Sequence, residues 1–432
     1  MSDPARTFDH MTQSIRLTAE GDADAAAVLR TQSEVEARIR AICFKTGPPT
    51  LIGAELEWTL HDSAAPEAPL AVETLRQALG WHTPATLGSP HPPRSLPAGG
   101  TISVEPGGQV EISSAPAASL TVLHAAVEAD RAYLTALLES AGLTLGAHGI
   151  DPHRTPRRLV RTPRYDAMER AFDARGDDGR VMMCSTAGLQ ACLDAGTESE
   201  LALRWATVTA LGPPLLAVFA TSRRHAGRDT GLASARMATW WAMDPRLTHP
   251  VGVPTPRSSA DPAFSADPAG DWVRYALAAP LTCVRRDGGC WDAPAGATLG
   301  DWARGAFPLA LTIADVDYHL STLFPPVRPR GYLEVRYLDA QPGGDWITPV
   351  AVLSALLSDS RTTSAALDLA LPTAGRWVEA ARCGLTDPEL HRAATTLLDL
   401  AARHLDDAGP ELRDRITQTI DRRLADAHGE TR

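Results

Sequence analysis

S-V-E-P-G-G-Q-V-E-I-S, residues 103–113, decides the fold of this chain. Val104, Val110 and Ile112 alternate with Glu105, Gln109 and Glu111 around a Pro-Gly-Gly turn. Strand residues two apart point to the same face, so one face here is polar where a core strand would be apolar. Two further runs repeat the pattern: L-I-G-A-E-L-E-W-T-L at 51–60, with Glu55 and Glu57, and G-Y-L-E-V-R-Y-L-D at 331–339, with Glu334 and Arg336. One such run is satisfied by a half-exposed strand with solvated acids. Three together offer five carboxylates and one guanidinium to a common face, and ionised carboxylates on a largely buried sheet are costly unless paired or bound to metal. Hard, oxygen-ligated cations such as Mg2+ would collect them, and Mg2+ held by a few carboxylates usually sits beside substrate phosphates.

Composition narrows the chemistry such a face could serve. The formal net charge is −11, which suits neither a phosphate backbone nor an acidic membrane surface. No nucleic-acid and no membrane partner is expected, and nothing in the sequence sets an oligomeric state. Lys45 is the only lysine and follows Phe44, so the Gly-Lys-Ser/Thr of a Walker A loop is absent. The 33 glycines include no Gly-x-Gly, which removes the dinucleotide turn as well. Phosphates handled here would fall to arginine and metal. Cys43, Cys184, Cys192, Cys283, Cys290 and Cys383 form no C-x-x-C and no zinc spacing, so reduced thiols and a cytoplasmic location are expected. Residues 1–20 lack the apolar core of a signal peptide. The most hydrophobic stretch, 205–220, is broken by Gly212-Pro213-Pro214 and reads as a buried helix that stops.

Along the chain, helical character is expected over 25–44, ahead of Gly47-Pro48-Pro49, and a surface loop over 83–100. An amphipathic helix carrying Leu120, Leu123, Val127, Leu134, Leu137 and Leu138 should follow Pro116 and end at Gly142. Residues 148–165, with five arginines and three prolines, read as a solvent-facing basic loop, and His148, Asp151 and His153 within it lack a further metal partner. Strand or turn is expected over 181–194, a capping box at 197–200, a long loop over 248–270 and a hairpin turn at 285–289. A helix over 348–358 and three more over 363–423 complete the chain, one starting at Thr386-Asp387-Pro388-Glu389. The expected fold is α+β, an antiparallel sheet with a convergent polar face flanked by helices.

S-V-E-P-G-G-Q-V-E-I-S-S-A-P resembles the signature of plant-type and proteobacterial glutamate-cysteine ligases. The similarity continues in order through R-Y-D-A-M (164–168), M-M-C-S-T-A-G-L-Q-A-C-L-D (182–194), F-A-T-S (219–222), S-A-R-M-A-T-W (234–240), H-L-S-T-L-F-P-P-V-R (319–328) and Y-L-E-V-R (332–336). It covers roughly residues 51–359. The Ala- and Arg-rich, nearly lysine-free composition and the Y-L-E-V-R-Y-L-D strand are most similar to the actinobacterial branch, whose members supply γ-glutamylcysteine for ergothioneine synthesis.

The resemblance implies a glutamine-synthetase-like catalytic domain over 50–359, preceded by a helical segment (1–49) and followed by helices packed on it (360–432). It implies ATP-dependent joining of L-glutamate to L-cysteine through γ-glutamyl phosphate, with two or more Mg2+ ions. By position, Glu55 and Glu57 would hold two different ions, Glu105 and Glu111 would complete one site and Glu334 another. Arg336 would meet the transferring phosphoryl group and Arg236 would bind glutamate. Gln109, Gln190 and Trp240 would line the pocket, and Arg164 would lie near nucleotide or glutamate. Cys192 stands where plant relatives have Asn, which bears on acceptor recognition. His148 falls in a segment that is apolar in those relatives and takes no role. Competing readings are a ligase for another amine, a catalytically inactive binding paralogue, and a glycosidase acid pair, which would leave three acids unexplained.

Overall fold

The acid-bearing runs pair with one another in a single sheet. In the computed structural model, which describes residues 25–255 and 264–429, its strands are β1 (Ile52–Trp58), β2 (Thr101–Val104), β3 (Val110–Ser113), β4 (Gly188–Leu193), β5 (Val327–Pro329) and β6 (Leu333–Asp339). All neighbours run antiparallel in the order β5-β6-β4-β1-β3-β2, the sheet of an α+β fold. Directly opposed residues share a face. Glu57 stands opposite Glu111, Glu111 opposite Ser103, Glu55 opposite Gln190 and Ser113, and Glu334 opposite Cys192. Leu56, Ile112, Leu189, Ala191, Leu333 and Val335 fall on the other face and are buried.

The β2–β3 hairpin closes through Glu105 N–H, which donates to the Gln109 carbonyl at 2.9 Å. Its two glycines are required for different reasons. Gly108 takes a φ of +91°, and a Cβ on Gly107 would lie 2.1 Å from the Cys184 carbonyl oxygen. Strict alternation fails in β6. Val335 opposes Ala191 but Leu338 opposes Leu189, so the strand carries an extra residue and bulges beside Arg336. Beyond the bulge Leu338 lies on the apolar face and Asp339, opposite Gly188, on the polar one. A regular strand would have exchanged them.

Among the flanking helices are α1 (Gln32–Cys43), α2 (Leu120–Ser140), α3 (Pro163–Asp173), α4 (Asp178–Ser185), α5 (Glu198–Ala210), α6 (Gly212–Phe219) and α7 (Ala235–Met243). After β6 come α8 (Ile347–Leu356), α9 (Ser360–Ala370), α10 (Trp377–Cys383), α11 (Pro388–Ala402) and α12 (Pro410–Gly429). α2 packs on β1, α8 on β4 and α6 on β6, while α9 leans on α5, and α10 and α11 on α6. One hydrophobic core extends from Val35 in α1 to Ile420 in α12.

Some segments depart from the sequence-based expectation, each for a local reason. The helix expected over 25–44 starts only at Gln32, because Thr31 caps it by accepting from Glu34 N–H at 3.2 Å. Val28–Leu29 instead pairs with Leu311–Thr312. Residues 181–185 finish α4, so 181–194 is helix before it is strand. As expected, the apolar helix α5 stops at Ala210, just before Gly212-Pro213-Pro214; a further buried helix, α6, follows at a 41° bend, its first turn tolerating proline because its N–H groups have no helical acceptor. No single helix among the described residues is long and apolar enough to cross a membrane. Gly288 and Gly289 turn the chain with φ near +75°, yet no strands flank them. Four helices follow α8 where three were expected, since Gly384 at φ +54° ends α10 as a separate short helix. Within 248–270, positions 256–263 lie outside the described residues, and Pro268 opens a helix. The basic segment 148–165 is not solvent-facing throughout. Thr162 caps α3, Arg158 pairs with Asp166 and Glu169 of that helix with 7% of its side chain exposed, and Arg154 pairs with Asp151.

Candidate active site

Four glutamates crowd the centre of the polar face: Glu55 and Glu57 on β1, Glu111 on β3, and Glu105 where the hairpin begins. Removal from water, then Glu334, raises the Glu55 carboxyl to about 6 in spite of Arg330, Arg336 and Arg328. Removal from water, then Glu57, raises Glu105 to about 7. Glu111 is pushed well above the ordinary carboxylate range by burial and then by Glu55, Glu57 and Glu105. The cluster thus holds more negative charge than its protein partners balance, the condition that favours a bound cation or a retained proton.

Two of these acids are already engaged by protein donors. Glu57 accepts from the Gly188 main-chain N–H at 2.6 Å and from Gln190 Nε2 at 3.0 Å. Glu111 Oε1 accepts from Ser103 Oγ at 2.7 Å and Ser113 Oγ at 3.3 Å. Glu55 and Glu105 accept no hydrogen bond through their carboxylates from the described residues. With the side chains turned this way, no three His, Cys, Asp or Glu residues among those described are grouped to hold a metal ion. The donors are nevertheless all hard oxygens, and two of the carboxylates are unengaged. At the other candidate cluster, Asp151 is taken by Arg154 and the His153 N–H, and His153 packs edge-on to His61.

Glu334 is in the opposite electrostatic state. Fully buried, its Oε2 accepts from Arg328 Nε at 2.5 Å and Arg336 Nη1 at 3.0 Å, and its Oε1 from Arg328 Nη2 at 3.1 Å and Arg330 Nη1 at 3.0 Å. Burial works to raise its pKa, but Arg328, Arg336 and Arg330 outweigh it and hold the carboxyl well below the usual range. Arg336 Nη1 also donates to Gln190 Oε1 at 2.7 Å, so Gln190 bridges Arg336 to Glu57. Arg336 Nε is buried without a partner.

Arg236, on α7, lies 2% exposed beneath this row. Its Nη2 donates to the Arg336 carbonyl at 2.9 Å, its Nη1 is 3.7 Å from Asp339 Oδ1, and its Nε has no partner. A Cβ on Gly188 would sit 2.4 Å from Nη2, so only glycine leaves room for this guanidinium. The guanidinium carbons of Arg236 and Arg336 are 5.0 and 5.4 Å from the Trp240 ring centroid, within cation–π range. Asp339 accepts from Thr221 N–H at 2.9 Å, Ser222 Oγ at 2.6 Å and Ser234 Oγ at 3.0 Å, binding F-A-T-S and S-A-R-M to the end of β6.

The remaining candidates separate. Gln109 does not present its amide to a pocket: Nε2 donates to the Met183 and Thr186 carbonyls at 3.3 and 2.8 Å and Oε1 accepts from Gly107 N–H, bracing the turn. Arg164 donates to Ser321 Oγ at 2.8 Å and its carbonyl at 3.0 Å, lies over Tyr318, and still lowers the Glu105 pKa from there. Cys192 is buried beside Glu55 and Glu334, and burial, then these acids, keeps its thiol protonated. All six cysteines are free. Arg328, Arg330, Asp339 and Gly188 were not among the candidates. The signal for the arginines was P-V-R-P-R-G ahead of Y-L-E-V-R, a hairpin that sets Arg328 directly opposite Glu334.

Residues 51–426 match the glutamate-cysteine ligase family 2 (GCS2) profile. The glutamate–cysteine ligase EgtA of Mycolicibacterium smegmatis is 38% identical over 413 residues, covering 93% of this chain and 91% of its own length. That of Mycobacterium tuberculosis is 37% identical over 393 residues, with 89% and 86% covered. The chloroplastic glutamate–cysteine ligase of Brassica juncea is more distant, 30% identical over 278 residues and covering 62% of this chain and 52% of its own. A match running from β1 into α12 takes in every strand that carries the acids, and the chain therefore belongs to glutamate-cysteine ligase family 2 and is a ligase.

Proposed function

We propose that this ligase joins the γ-carboxylate of L-glutamate to the amine of L-cysteine at the expense of ATP, through γ-glutamyl phosphate. The observation that carries the proposal is the uncompensated acid cluster of Glu55, Glu105 and Glu111, set beside the fully compensated Glu334–Arg336 pair. In a chain with no Walker lysine and no Gly-x-Gly turn, a cation-seeking cluster next to fixed arginines suits phosphoryl transfer, which needs positioning and charge neutralisation more than covalent chemistry. The names of the relatives support glutamate and cysteine as the substrates. The antiparallel sheet with one polar face is compatible with a glutamine-synthetase-like scaffold, and the actinobacterial likeness points to ergothioneine biosynthesis as the use of the γ-glutamylcysteine.

Glu55, Glu57, Glu105 and Glu111 have the donor chemistry for Mg2+, and Glu334 would join a second ion by exchanging a guanidinium for it. Bound there, Mg2+ would neutralise the nucleotide's phosphate charge. Glutamate's γ-carboxylate oxygen bonds to the γ-phosphorus as the bond to the ADP oxygen breaks. The cysteine amine then attacks the acyl carbon, releasing phosphate and losing a proton. Arg336, held by Glu334 and Gln190, would donate to the phosphoryl oxygens in flight. Arg236 would take a glutamate carboxylate through its partnerless edge, with Trp240 fixing both guanidiniums and Arg164 serving nucleotide or glutamate.

Phosphate release with ATP, Mg2+ and glutamate, measured against a panel of amino acids, tests this assignment. Cysteine should give the highest kcat/KM. Shape alone separates a thiol from a hydroxyl or methyl only modestly, so equal values for cysteine, serine and 2-aminobutyrate would replace it with a broader carboxylate-amine ligase.

A further inference from the structure

A second concentration of charge lies behind the Pro-Gly-Gly turn and shares no lining residue with the acid face. Residues 70–72, 156–159 and 161, with Glu169 of α3 and Arg180 of α4, line an open cleft of about 450 Å3, a size within the range of small-molecule sites. Its lining includes Arg157, Arg158, Arg161 and Arg180 against one acid, Glu169.

Arg158 is the informative member. Only 7% of its side chain is exposed, and its Nη2 pairs with Asp166 at 2.5 Å and Glu169 at 3.1 Å, yet Nε and Nη1 are buried with no hydrogen-bond partner. Leaving two charged donors unsatisfied in the interior is costly, and native structures rarely do so without a ligand or water to accept them. Arg180 Nε, 3.5 Å from Glu169, is likewise without a hydrogen bond. Asp166, Glu169 and Asp173 balance Arg158 and Arg180. Arg157 and Arg161 are exposed and make no ion pair with a described residue. Arg157 and Arg161 thus bring to the cleft two cationic forks that no described carboxylate occupies.

We propose that this pocket binds a small phosphate-bearing metabolite, separately from the nucleotide of the ligase reaction. Several guanidinium forks around one cavity suit the three oxygens of a phosphate, and Leu70 and Leu159 offer an apolar wall to the rest of the molecule. The pocket is tied to the acid hairpin. Leu159 and Val160 N–H both donate to the Pro106 carbonyl, at 2.7 and 2.9 Å, and Leu70 and Leu159 pack on Gly108. The pocket wall and the turn between Glu105 and Gln109 therefore form one packed unit.

Inorganic pyrophosphate serves as the probe, titrated calorimetrically into the full chain in excess chelator at low salt, where the Mg2+-free acid cluster repels anions. One-to-one binding is expected, weakened at least tenfold by the double substitution Arg157→Ala with Arg161→Ala. Both residues are exposed, so folding is preserved, and circular dichroism checks this. Arg158→Gln should weaken binding similarly, whereas Arg336→Ala should leave it within twofold of wild type. Absence of binding to wild type, or unchanged binding in the double variant, would overturn the site. Binding of citrate without pyrophosphate would overturn the phosphate class. In the same chelator, competition by ATP for the site in wild type that persists in the Arg157→Ala with Arg161→Ala variant would make the binding that of the nucleotide site and overturn its separateness.

Discussion

Replacing Glu55 by glutamine removes one charge from the acid cluster while keeping the shape of the side chain. Glu55 is 9% exposed, and no described residue donates to its carboxylate, so the substitution breaks no such bond. Its carboxyl rises from 4.5 to about 6 on folding. At ~1.4 kcal/mol for each tenfold change in proton affinity, the ionised group opposes folding by about 2 kcal/mol. The sign follows from the direction of the shift. The folded chain holds this proton more tightly than the unfolded chain, so the penalty is absent below pH 4.5 and complete above about pH 6. In excess chelator, Glu55→Gln should therefore be more stable than wild type by about 2 kcal/mol at pH 8 and by under about 1 kcal/mol at pH 5. Urea unfolding, followed through the fluorescence of the 10 tryptophans, reads both values. Added Mg2+ should stabilise wild type at pH 8 and close the gap, because only wild type retains the full ligand set. The same variant should lose nearly all ligase activity. A glutamine variant less stable than wild type at pH 8 in chelator would refute the claim that these carboxylates repel one another.

Arg336→Ala should lower kcat about a hundredfold, equivalent to ~3 kcal/mol of transition-state stabilisation, with little change in the KM for ATP; initial-rate kinetics showing a pure KM effect would remove Arg336 from the phosphoryl group. Arg236→Lys keeps the charge but loses the planar fork, so the KM for glutamate should rise by the equivalent of ~1.5–3 kcal/mol and that for ATP far less. Gly188→Ala should reproduce part of that loss, since its methyl would meet Arg236 Nη2 at 2.4 Å, and a wild-type KM for glutamate in this variant would count against Arg236 as a substrate ligand. Asp339→Asn leaves Arg236 buried without its nearest carboxylate and should lower stability by about 3 kcal/mol in urea unfolding.

Sequence could reveal whatever followed from a period of two. Alternation alone places Glu55, Glu57, Glu111 and Glu334 on one face, because a strand has only two faces to offer. It could not reveal how those charges are settled. Glu334 differs from the other acids because Arg328, opposite it across β5 and β6, and Arg330 join Arg336 around it, a fact of register rather than of local pattern. The bulge beside Arg336 turns Asp339 toward the polar face, and a strict alternation would have hidden it. Gln109 alternates correctly yet bends its amide to the Met183 and Thr186 carbonyls, which belong to a segment more than seventy positions away. The basic run 148–165 departs from its solvent-facing expectation for a related reason. Its arginines look solvated until α3 brings Asp166 and Glu169 back against Arg158.

The transfer of oxygen from glutamate to phosphate tests the central claim most directly. With glutamate labelled by 18O in its γ-carboxylate, wild-type enzyme, Mg2+, ATP and cysteine, the attacking oxygen should leave with the phosphoryl group. One labelled oxygen should then appear in each phosphate released, as read by mass spectrometry. Unlabelled phosphate formed in step with the peptide product would show that the carboxylate never attacked ATP, contradicting a γ-glutamyl phosphate intermediate.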